Sequence, residues 1–176
     1  MAFFKEELLK VKAFIFDVDG VLSKDVSPLD AAGEPMRTAN LKDGFAIRYA
    51  IQKGFSIAII SGGRNENIRK RYENLGVEFI YLSVINKEEC FIDLVNRTGI
   101  KPEEIMYMGD DLPDYQVMTK IGIPTCPSDA VTEIKSISLY ISDRNGGEGC
   151  VRDVIEQVMR SQGKWINSEV LKSTSY

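Results

Sequence analysis

The feature that most constrains the fold is a series of short apolar segments spaced along the chain, most of which run into polar or glycine residues. They lie at residues 13–16, 55–60, 79–82 and 105–108, with shorter ones around Ile123 and at residues 139–141. Short segments that are apolar on both faces are typical of strands in a parallel sheet that is covered by helices.

Helical patterns separate these segments. They are predicted at residues 43–53, 65–74, 87–97, 114–121 and 150–160. Alternation of strands and helices predicts an α/β fold, a three-layer sandwich with a Rossmann-like central parallel sheet and right-handed crossovers. We expect one domain over residues 1–164 and a polar C-terminal tail over residues 165–176, which is either disordered or docked on another subunit.

Residues 21–41 interrupt the alternation. This stretch contains Ser27-Pro28, Gly33 and Glu34-Pro35 between short segments that are compatible with strands. Proline and glycine at such spacing indicate turns between strands. We therefore expect a β-hairpin that projects from the end of the first strand.

Composition excludes several classes of protein. The net charge of −4 argues against a general nucleic-acid binder. The absence of histidine excludes Ser-His-Asp and Cys-His catalysis and imidazole metal sites. No apolar run approaches the roughly 20 residues of a membrane span, and the acidic start does not resemble a signal peptide. These features lead us to expect no membrane partner and a cytoplasmic protein.

Polar residues follow four of the predicted strands. The sequence places Asp17 and Asp19 after the first, Ser61-Gly62 after the second, Lys87 after the third, and Asp110, Asp111 and Asp114 after the fourth. The carboxyl ends of parallel strands form one edge of a sheet, where ligands bind. We therefore expect these residues to converge at one site.

The chemistry of this set indicates phosphate and a divalent cation. Clustered carboxylates repel one another unless a cation neutralises them, and Mg²⁺ prefers carboxylate oxygens and is commonly shared with phosphate. Lys87, Ser61 and the backbone N–H groups of Gly62 and residues 18–20 suit phosphate oxygens. In this interpretation Asp17 attacks phosphorus, and Asp19 acts first as an acid and then as a base. The metal ligands would be Asp17, the main-chain carbonyl of Asp19, and Asp110, while Asp111 would orient Lys87 or metal-bound waters.

The four motifs resemble those of the haloacid dehalogenase superfamily, in the superfamily's order. They are residues 16–22 (FDVDGVL), Ser61-Gly62, Lys87 and residues 109–114 (GDDLPD). Residues 42–44 and 144–152, together with the hairpin, further resemble the 3-deoxy-D-manno-octulosonate (KDO) 8-phosphate phosphatases over roughly residues 8–160. That family also includes phosphatases of nine-carbon sialic-type sugar acids. The resemblance implies a Mg²⁺-dependent sugar-acid phosphatase of lipopolysaccharide precursor synthesis that acts as a homotetramer, in which neighbouring subunits close the site.

Motif spacing predicts that no cap domain is present. The intervals from Asp19 to Ser61 and from Ser61 to Lys87 are too short for a folded cap, because even small domains need about 40 residues.

The chain departs from the family pattern in two places. It has Lys42 where the family usually has arginine, and an extra glycine, Gly63, precedes Arg64. Sialic-type members would have an acidic residue at position 63, so its absence favours the eight-carbon substrate.

Two other functions also fit parts of the pattern. A phosphorylation-switched receiver domain shares the acidic pair, hydroxyl and lysine, but it lacks a counterpart of Asp19. A phosphomutase or a broad-range nucleotidase would normally use a cap for selectivity.

Arg64, Arg69 and Arg71 could contact a substrate, although a solvated helix face explains them equally well. We assign Arg64 to phosphate binding because it lies beside the Ser61-Gly62 motif.

Overall fold

The strands form as the apolar segments predict. The computed structural model describes residues 2–166. Its strands are β1 (Ala13–Phe16), β2 (Ser56–Ile60), β3 (Phe79–Tyr81), β4 (Ile105–Met108), β5 (Ile123–Cys126) and β6 (Tyr140–Ile141). All pair in parallel in the order β3-β2-β1-β4-β5-β6. The predicted parallel sheet is therefore confirmed.

Helices cover both faces of the sheet. One layer contains α1 (Ala2–Leu8), α2 (Leu41–Gln52), α3 (Glu66–Glu73) and α7 (Cys150–Ser161), and the other contains α4 (Lys87–Thr98), α5 (Tyr115–Met118) and α6 (Thr132–Ile137). Phe14 and Phe16 of β1 pack into the first layer, whereas Ile15 packs into the second. Because successive strand residues point to opposite faces, one apolar segment supplies both cores. This is the predicted three-layer sandwich.

Asparagine side chains fix the start of three helices. Asn40, Asn65 and Asn86 are the N-caps of α2, α3 and α4, and each accepts a hydrogen bond from a backbone N–H two residues later. A side-chain oxygen in this position satisfies a backbone donor that the helix itself leaves free. The cap at Asn86 makes Lys87 the first residue of α4, which lies at the carboxyl edge of the sheet.

The expected β-hairpin is reduced to an irregular loop. Among residues 17–40, the only antiparallel pairing in the described structure is an isolated bridge between Leu29 and Pro35. Proline has no N–H to donate to a strand ladder, and no neighbouring strand extends the pairing. The loop is closed at its base instead, where the Ser23 hydroxyl accepts a hydrogen bond from the Thr38 backbone N–H at 2.9 Å.

Several helix boundaries also differ from the expectation. The helix predicted at residues 114–121 is a 3-10 turn, Leu112–Asp114, followed by the short α5. Helices α1 and α6 were not predicted, because each is only two turns long or less and carries a weak apolar pattern. The intervals around α2 and α3 contain no cap domain within residues 2–166, as predicted.

The C-terminal tail is described only at its start. Trp165 makes edge-to-face contacts with Phe45 and Tyr49 of α2, with ring centroids 6.4 and 5.6 Å apart. The rest of the predicted tail, residues 167–176, lies outside the described residues. None of the helices within residues 2–166 has both the length and the apolar character that crossing a membrane requires.

Candidate active site

The site lies where the strand order of the sheet reverses. The chain runs from β1 outward to β2 and β3, then returns to β4 on the other side of β1. Loops at the carboxyl ends of two such strands diverge and leave a crevice between them. Asp17 directly follows β1, and Asp110 lies two residues beyond β4. Both line a cleft of about 750 Å³, together with Asp19, Ser61 and Lys87 among others.

The floor of the cleft is a buried network that we call the inner cluster: Asp17, Lys87, Tyr107 and Asp114. Lys87 Nζ lies 3.0 Å from Asp17 Oδ2 and donates a 2.7 Å hydrogen bond to Asp114 Oδ1. The hydroxyl of Tyr107 donates to the same Asp114 oxygen at 2.6 Å. Lys87 is only 6% exposed, so its ammonium group is held almost entirely by protein carboxylates.

Burial and charge perturb the ionisation of this cluster. Burial raises the pKa of Asp17 well above its ordinary value, and the nearby Asp114 carboxylate raises it further, while Lys87 acts in the opposite direction. Burial alone would lower the pKa of Lys87, but Asp17 and Asp114 together raise it. The lysine therefore stays charged. Burial, reinforced by Asp114, also raises the pKa of Tyr107 and keeps it a hydrogen-bond donor.

Asp110 completes a set of three carboxylates that has one ammonium group, Lys87, to balance it among the described residues. Oxygens of Asp17, Asp110 and Asp114 lie within 4.8 Å of one another. Asp110 Oδ1 is buried and has no hydrogen-bond partner among the described residues. Burial, followed by the charges of Asp17 and Asp114, raises the pKa of Asp110 to about 8. An unpartnered buried oxygen beside other carboxylates fits a divalent cation, which prefers oxygen ligands.

Glycine at position 20 makes room for this carboxylate. Gly20 has φ +77°, a conformation that residues with a side chain rarely adopt. A Cβ atom at Gly20 would also lie 1.9 Å from Asp110 Oδ2. The glycine of the first motif therefore lets the loop after β1 approach the loop after β4.

The contact with Lys87 belongs to Asp114 and not to Asp111. We expected Asp111 to orient Lys87 or metal-bound waters, but its side chain is exposed and its Oδ1 accepts a 2.8 Å hydrogen bond from the Leu112 N–H. Asp111 begins the 3-10 turn that carries Asp114 inward. Both Asp114 oxygens are used, since Oδ2 accepts from the Asp110 N–H at 3.2 Å. Asp114 is the least suitable of the three carboxylates as a metal ligand, because it accepts three hydrogen bonds and lies beneath the cleft that Asp17 and Asp110 line.

Above the inner cluster, Asp19 forms an ion pair with Arg37, which we call the outer pair. Arg37 Nε donates to Asp19 Oδ1 at 2.7 Å, and Nη2 donates to Oδ2 at 2.8 Å. Such bidentate pairs combine charge with fixed geometry. The Arg37 side chain is 10% exposed and that of Asp19 is 44% exposed, so the carboxylate faces the cleft.

The second motif lies on the opposite wall of the cleft. Ser61 directly follows β2 and is buried, and its hydroxyl accepts a 3.0 Å hydrogen bond from the Gly63 N–H. Gly62 is exposed at the cleft, and Arg64 is exposed beside it. Of the residues expected to converge, Asp17, Asp19, Ser61, Gly62, Arg64, Lys87, Asp110 and Asp111 all line this cleft. Asp114 lies beneath it as a partner of Lys87.

Sequence reasoning missed two residues of the site, Arg37 and Tyr107. Arg37 lies in an irregular loop, 18 positions from its partner Asp19, and no spacing rule connects them. Tyr107 is part of the apolar segment of β4 and reads as an ordinary core residue. A tyrosine hydroxyl that is fully buried needs a partner, and this was the one signal that could have identified it.

A family model for haloacid dehalogenase-like hydrolases matches residues 30–122 of the chain. The chain is also 35% identical, over 154 residues, to 3-deoxy-D-manno-octulosonate 8-phosphate phosphatase KdsC of Escherichia coli (strain K12). That alignment covers 88% of this chain and 82% of the relative.

Solved structures of similar proteins share the fold. The 3-deoxy-D-manno-octulosonate 8-phosphate phosphatase from Yersinia pestis superposes with a TM-score of 0.88 at 30% identity, covering 92% of this chain and 87% of that one. The corresponding phosphatase from Moraxella catarrhalis, solved in complex with a magnesium ion, a phosphate ion and KDO, gives a TM-score of 0.88 at 28% identity. That match covers 93% of this chain and 94% of the other.

Proposed function

Because the chain belongs to the haloacid dehalogenase-like hydrolases, we propose that it is a Mg²⁺-dependent phosphatase that hydrolyses a sugar-acid phosphate through an aspartyl-phosphate intermediate. The observation that carries this proposal is the environment of Asp17. Its carboxylate lies at the reversal point of the sheet, with the Lys87 ammonium 3.0 Å from Oδ2 and the unpartnered Asp110 oxygen close by. This arrangement suits a nucleophile that must receive an anionic phosphoryl group.

In the proposed first step, an Asp17 carboxylate oxygen attacks phosphorus in line with the sugar oxygen. The new O–P bond forms as the P–O bond to the sugar breaks, and Asp19 gives its proton to the departing sugar oxygen. Lys87 offsets negative charge at Asp17 and at the incoming phosphoryl oxygens. The Ser61 hydroxyl and the Gly62 N–H lie on the opposite wall, where they would hold other phosphoryl oxygens.

In the second step, water hydrolyses the aspartyl phosphate. The Asp19 carboxylate accepts a proton from the water as its oxygen attacks phosphorus, and the bond between phosphorus and Asp17 breaks. Asp17 leaves as a carboxylate and Asp19 is protonated again. Inorganic phosphate is released and both residues return to their starting states.

Asp17, Asp110 and the main-chain carbonyl of Asp19 are the proposed metal ligands. The buried Asp110 oxygen without a partner among the described residues and the close approach of Asp17 fit a divalent cation. When bound, Mg²⁺ would neutralise the carboxylates and the phosphate that they receive. Asp114 is not in this set because Lys87, Tyr107 and the Asp110 N–H occupy its oxygens.

We propose KDO 8-phosphate as the substrate, with a nine-carbon sialic-type 9-phosphate as the alternative. The similar proteins from Escherichia coli and Yersinia pestis carry the first activity in their names. Glycine at position 63, where an acidic residue would indicate the nine-carbon class, supports the same choice.

A substrate panel tests the proposed function. Phosphate release with added Mg²⁺ should be fastest, by kcat/KM, for the eight-carbon sugar-acid phosphate. The panel should include a nine-carbon sugar-acid phosphate, a hexose phosphate and a nucleotide. Preference for the nine-carbon compound would replace the substrate and retain the chemistry. Preference for a nucleotide would refute the sugar-acid proposal, and stable phosphorylation of Asp17 without turnover would favour a signalling role.

We also propose that residues 1–164 form one catalytic domain that acts in the cytoplasm as a homotetramer. The cleft is open to solvent in a chain without a cap domain over residues 2–166, so a neighbouring subunit could close it. Sedimentation velocity measures the assembly directly. A monomer with full activity would refute the need for a neighbouring subunit.

A further inference from the structure

The ion pair between Asp19 and Arg37 constrains how Asp19 takes part in the proposed reaction. Both Asp19 oxygens accept hydrogen bonds from Arg37, at 2.7 and 2.8 Å, whereas the proposed reaction uses the same carboxyl group to exchange protons with the sugar oxygen and with water. Each carboxylate oxygen has two lone pairs, so the bidentate pair occupies one and leaves the other. Arg37 therefore determines which side of the Asp19 carboxyl group faces the substrate.

The position of Arg37 is built into the loop. The adjacent Thr38 is tied to the loop base by two hydrogen bonds, from its N–H to Ser23 Oγ at 2.9 Å and from the Lys24 N–H to its Oγ1 at 3.0 Å. A further contact joins Arg37 Nη1 to the Pro35 carbonyl at 3.4 Å. A side chain that is 10% exposed and anchored in this way does not behave like a surface arginine.

Gly63 supplies the space that the guanidinium group occupies. A Cβ atom at this position would lie 2.6 Å from Arg37 Nη2 and 2.9 Å from its Cζ. Gly63 has no positive φ, so its backbone conformation does not require glycine. A side chain at position 63 would therefore require the Arg37 guanidinium group to shift away from its place beside Asp19. The position of Arg37 beside Asp19 thus depends on the absence of a side chain at Gly63.

We propose that Arg37 is a positioning residue for proton transfer by Asp19, and that Gly63 lacks a side chain in order to admit it. This inference rests on the proposed role of Asp19. Arg37 holds the carboxylate over the cleft through two bonds. These bonds leave the other side of the carboxyl group directed at the sugar oxygen in the first step and at the attacking water in the second.

Two substrates that differ in leaving group separate this role from phosphate binding. A sugar-acid phosphate releases a basic alkoxide and needs a proton from Asp19, whereas p-nitrophenyl phosphate releases a stable phenolate and does not. Acid–base catalysis contributes roughly 10²- to 10⁴-fold to rate, so we expect Arg37→Met to lower kcat for the sugar-acid phosphate by about 10- to 100-fold. For p-nitrophenyl phosphate, the rate of the p-nitrophenolate burst that accompanies phosphorylation of Asp17 should change little, and so should the inhibition constant of inorganic phosphate, since neither needs a proton from Asp19. Hydrolysis of the aspartyl phosphate uses Asp19 as the base with either substrate, so the burst rate and not kcat is compared for p-nitrophenyl phosphate.

Further variants tie the effect to Asp19. Arg37→Lys keeps the charge with a single donor group and should recover part of the lost rate. In the Asp19→Asn background, Arg37→Met should have no additional effect on kcat for the sugar-acid phosphate. Arg64→Met is the matched control, because it removes an arginine from the same cleft that makes no described contact with Asp19. It should affect both substrates equally.

Gly63→Ala tests the structural half of the proposal. It should reproduce the loss seen with Arg37→Met on the sugar-acid phosphate, and the double variant should be no worse than Arg37→Met alone. This variant and Arg37→Lys keep the proposal testable if Arg37→Met fails to fold, which circular dichroism and thermal unfolding would reveal.

Two results would overturn the proposal. Equal losses in the rate of Asp17 phosphorylation with both substrates, together with weaker inhibition by inorganic phosphate, would make Arg37 a phosphate ligand. An unchanged rate with the sugar-acid phosphate would make the ion pair incidental. Neither result bears on the phosphatase activity itself. That activity is tested by Asp17→Asn and by the substrate panel, both in a chain that retains Arg37 and Gly63.

Discussion

The inner cluster and the outer pair use the same kind of contact, a cation held by carboxylates, in different settings. Lys87 is 6% exposed and lies between Asp17, which directly follows β1, and Asp114, which lies in the 3-10 turn after β4. Arg37 lies on an irregular loop, and its partner Asp19 is 44% exposed at the side chain. The ends of strands and helices position most of the inner cluster, whereas hydrogen bonds within a loop position the outer pair.

This difference matches the tasks proposed for the two regions. The nucleophile and its counter-charge must be held in one geometry for attack in line, because small misplacements are costly. The acid–base group must instead reach both the sugar oxygen and water, which its partial exposure at the cleft allows. A buried floor and a partly exposed upper wall therefore divide the reaction between attack on phosphorus and movement of protons.

The largest effect is expected from Lys87→Met. The variant leaves Asp17 and Asp114 buried without their cation, and removal of one partner of a buried pair costs about 3–5 kcal/mol of folding free energy. We also expect kcat to fall roughly 10²- to 10³-fold, the range for loss of one group that stabilises transition-state charge. Phosphorylation of Asp17 should be slowed alike with the sugar-acid phosphate and with p-nitrophenyl phosphate, unlike in Arg37→Met. Rapid-mixing kinetics with both substrates provides the comparison.

Lys12→Met is a matched control for this variant. Lys12 pairs with Glu104 at 2.6 Å but is 62% exposed at the side chain, at the opposite edge of the sheet. Exposed pairs contribute about 0–1 kcal/mol, so stability and kcat should hardly change. If Lys87→Met were no more harmful than Lys12→Met, the inner cluster would not be the catalytic floor.

A smaller effect is expected from Tyr107→Phe. The variant keeps the buried ring and removes the hydroxyl that donates to Asp114 Oδ1, so Lys87 becomes less firmly positioned. Hydrogen bonds to charged groups contribute about 1.5–3 kcal/mol, and we expect kcat to fall by roughly 10-fold with little change in KM. Kinetics and thermal unfolding measured on the same preparation separate the two consequences.

Tyr140→Phe provides the control for a purely structural loss. The Tyr140 hydroxyl donates to Asp153 Oδ2 at 2.9 Å, away from the cleft. Tyr140→Phe should lower the free energy of unfolding by an amount comparable to that of Tyr107→Phe and leave kcat unchanged. If Tyr107→Phe and Tyr140→Phe had the same kcat, the Tyr107 hydroxyl would have no role in catalysis.

The smallest effect concerns the dependence of stability on pH and Mg²⁺. The pKa of Asp110 rises from 3.8 to about 8 on folding, so the metal-free folded state binds more protons than the unfolded chain between those values. Stability is therefore greatest at the acidic end and falls as pH rises through this window. Mg²⁺ competes with these protons, so it should raise the Tm more at pH 8 than at pH 6.

Differential scanning fluorimetry with Mg²⁺ or with a chelator measures this dependence. Asp110→Asn should flatten both the pH dependence and the response to Mg²⁺, while Asp25→Asn, at the rim of the same cleft, should largely preserve them. A response to Mg²⁺ that is the same at both pH values would contradict a metal site built on Asp110.

The convergence of Asp17, Lys87 and Asp110 was predictable from the sequence, whereas Tyr107 and Arg37 were not. Asp17 and Asp110 follow apolar strands whose parallel pairing brings their ends together, so the topology alone predicts their convergence. Lys87 is fixed by the Asn86 cap, which is also visible in the sequence. Neither Arg37 nor its fit against Gly63 follows from strand ends or helix caps, because a loop conformation determines both.

Two further differences have similar causes. Asp111 and Asp114 follow the same strand, and the sequence could not tell which one turns inward, because that depends on the 3-10 turn between them. The expected hairpin is a loop because its two halves contain prolines and have no third strand to pair with. Local patterns predict elements well, but they do not predict which side of a turn a carboxylate occupies.

Trapping the covalent intermediate tests the central claim, that Asp17 is the nucleophile held by the inner cluster. The enzyme would be mixed with a sugar-acid phosphate and Mg²⁺, quenched rapidly in acid, digested and analysed by mass spectrometry. The account predicts a phosphoryl group on the peptide that carries Asp17, and neither the modification nor turnover in folded Asp17→Asn. Phosphoryl transfer to another residue, or turnover retained in Asp17→Asn, would contradict it.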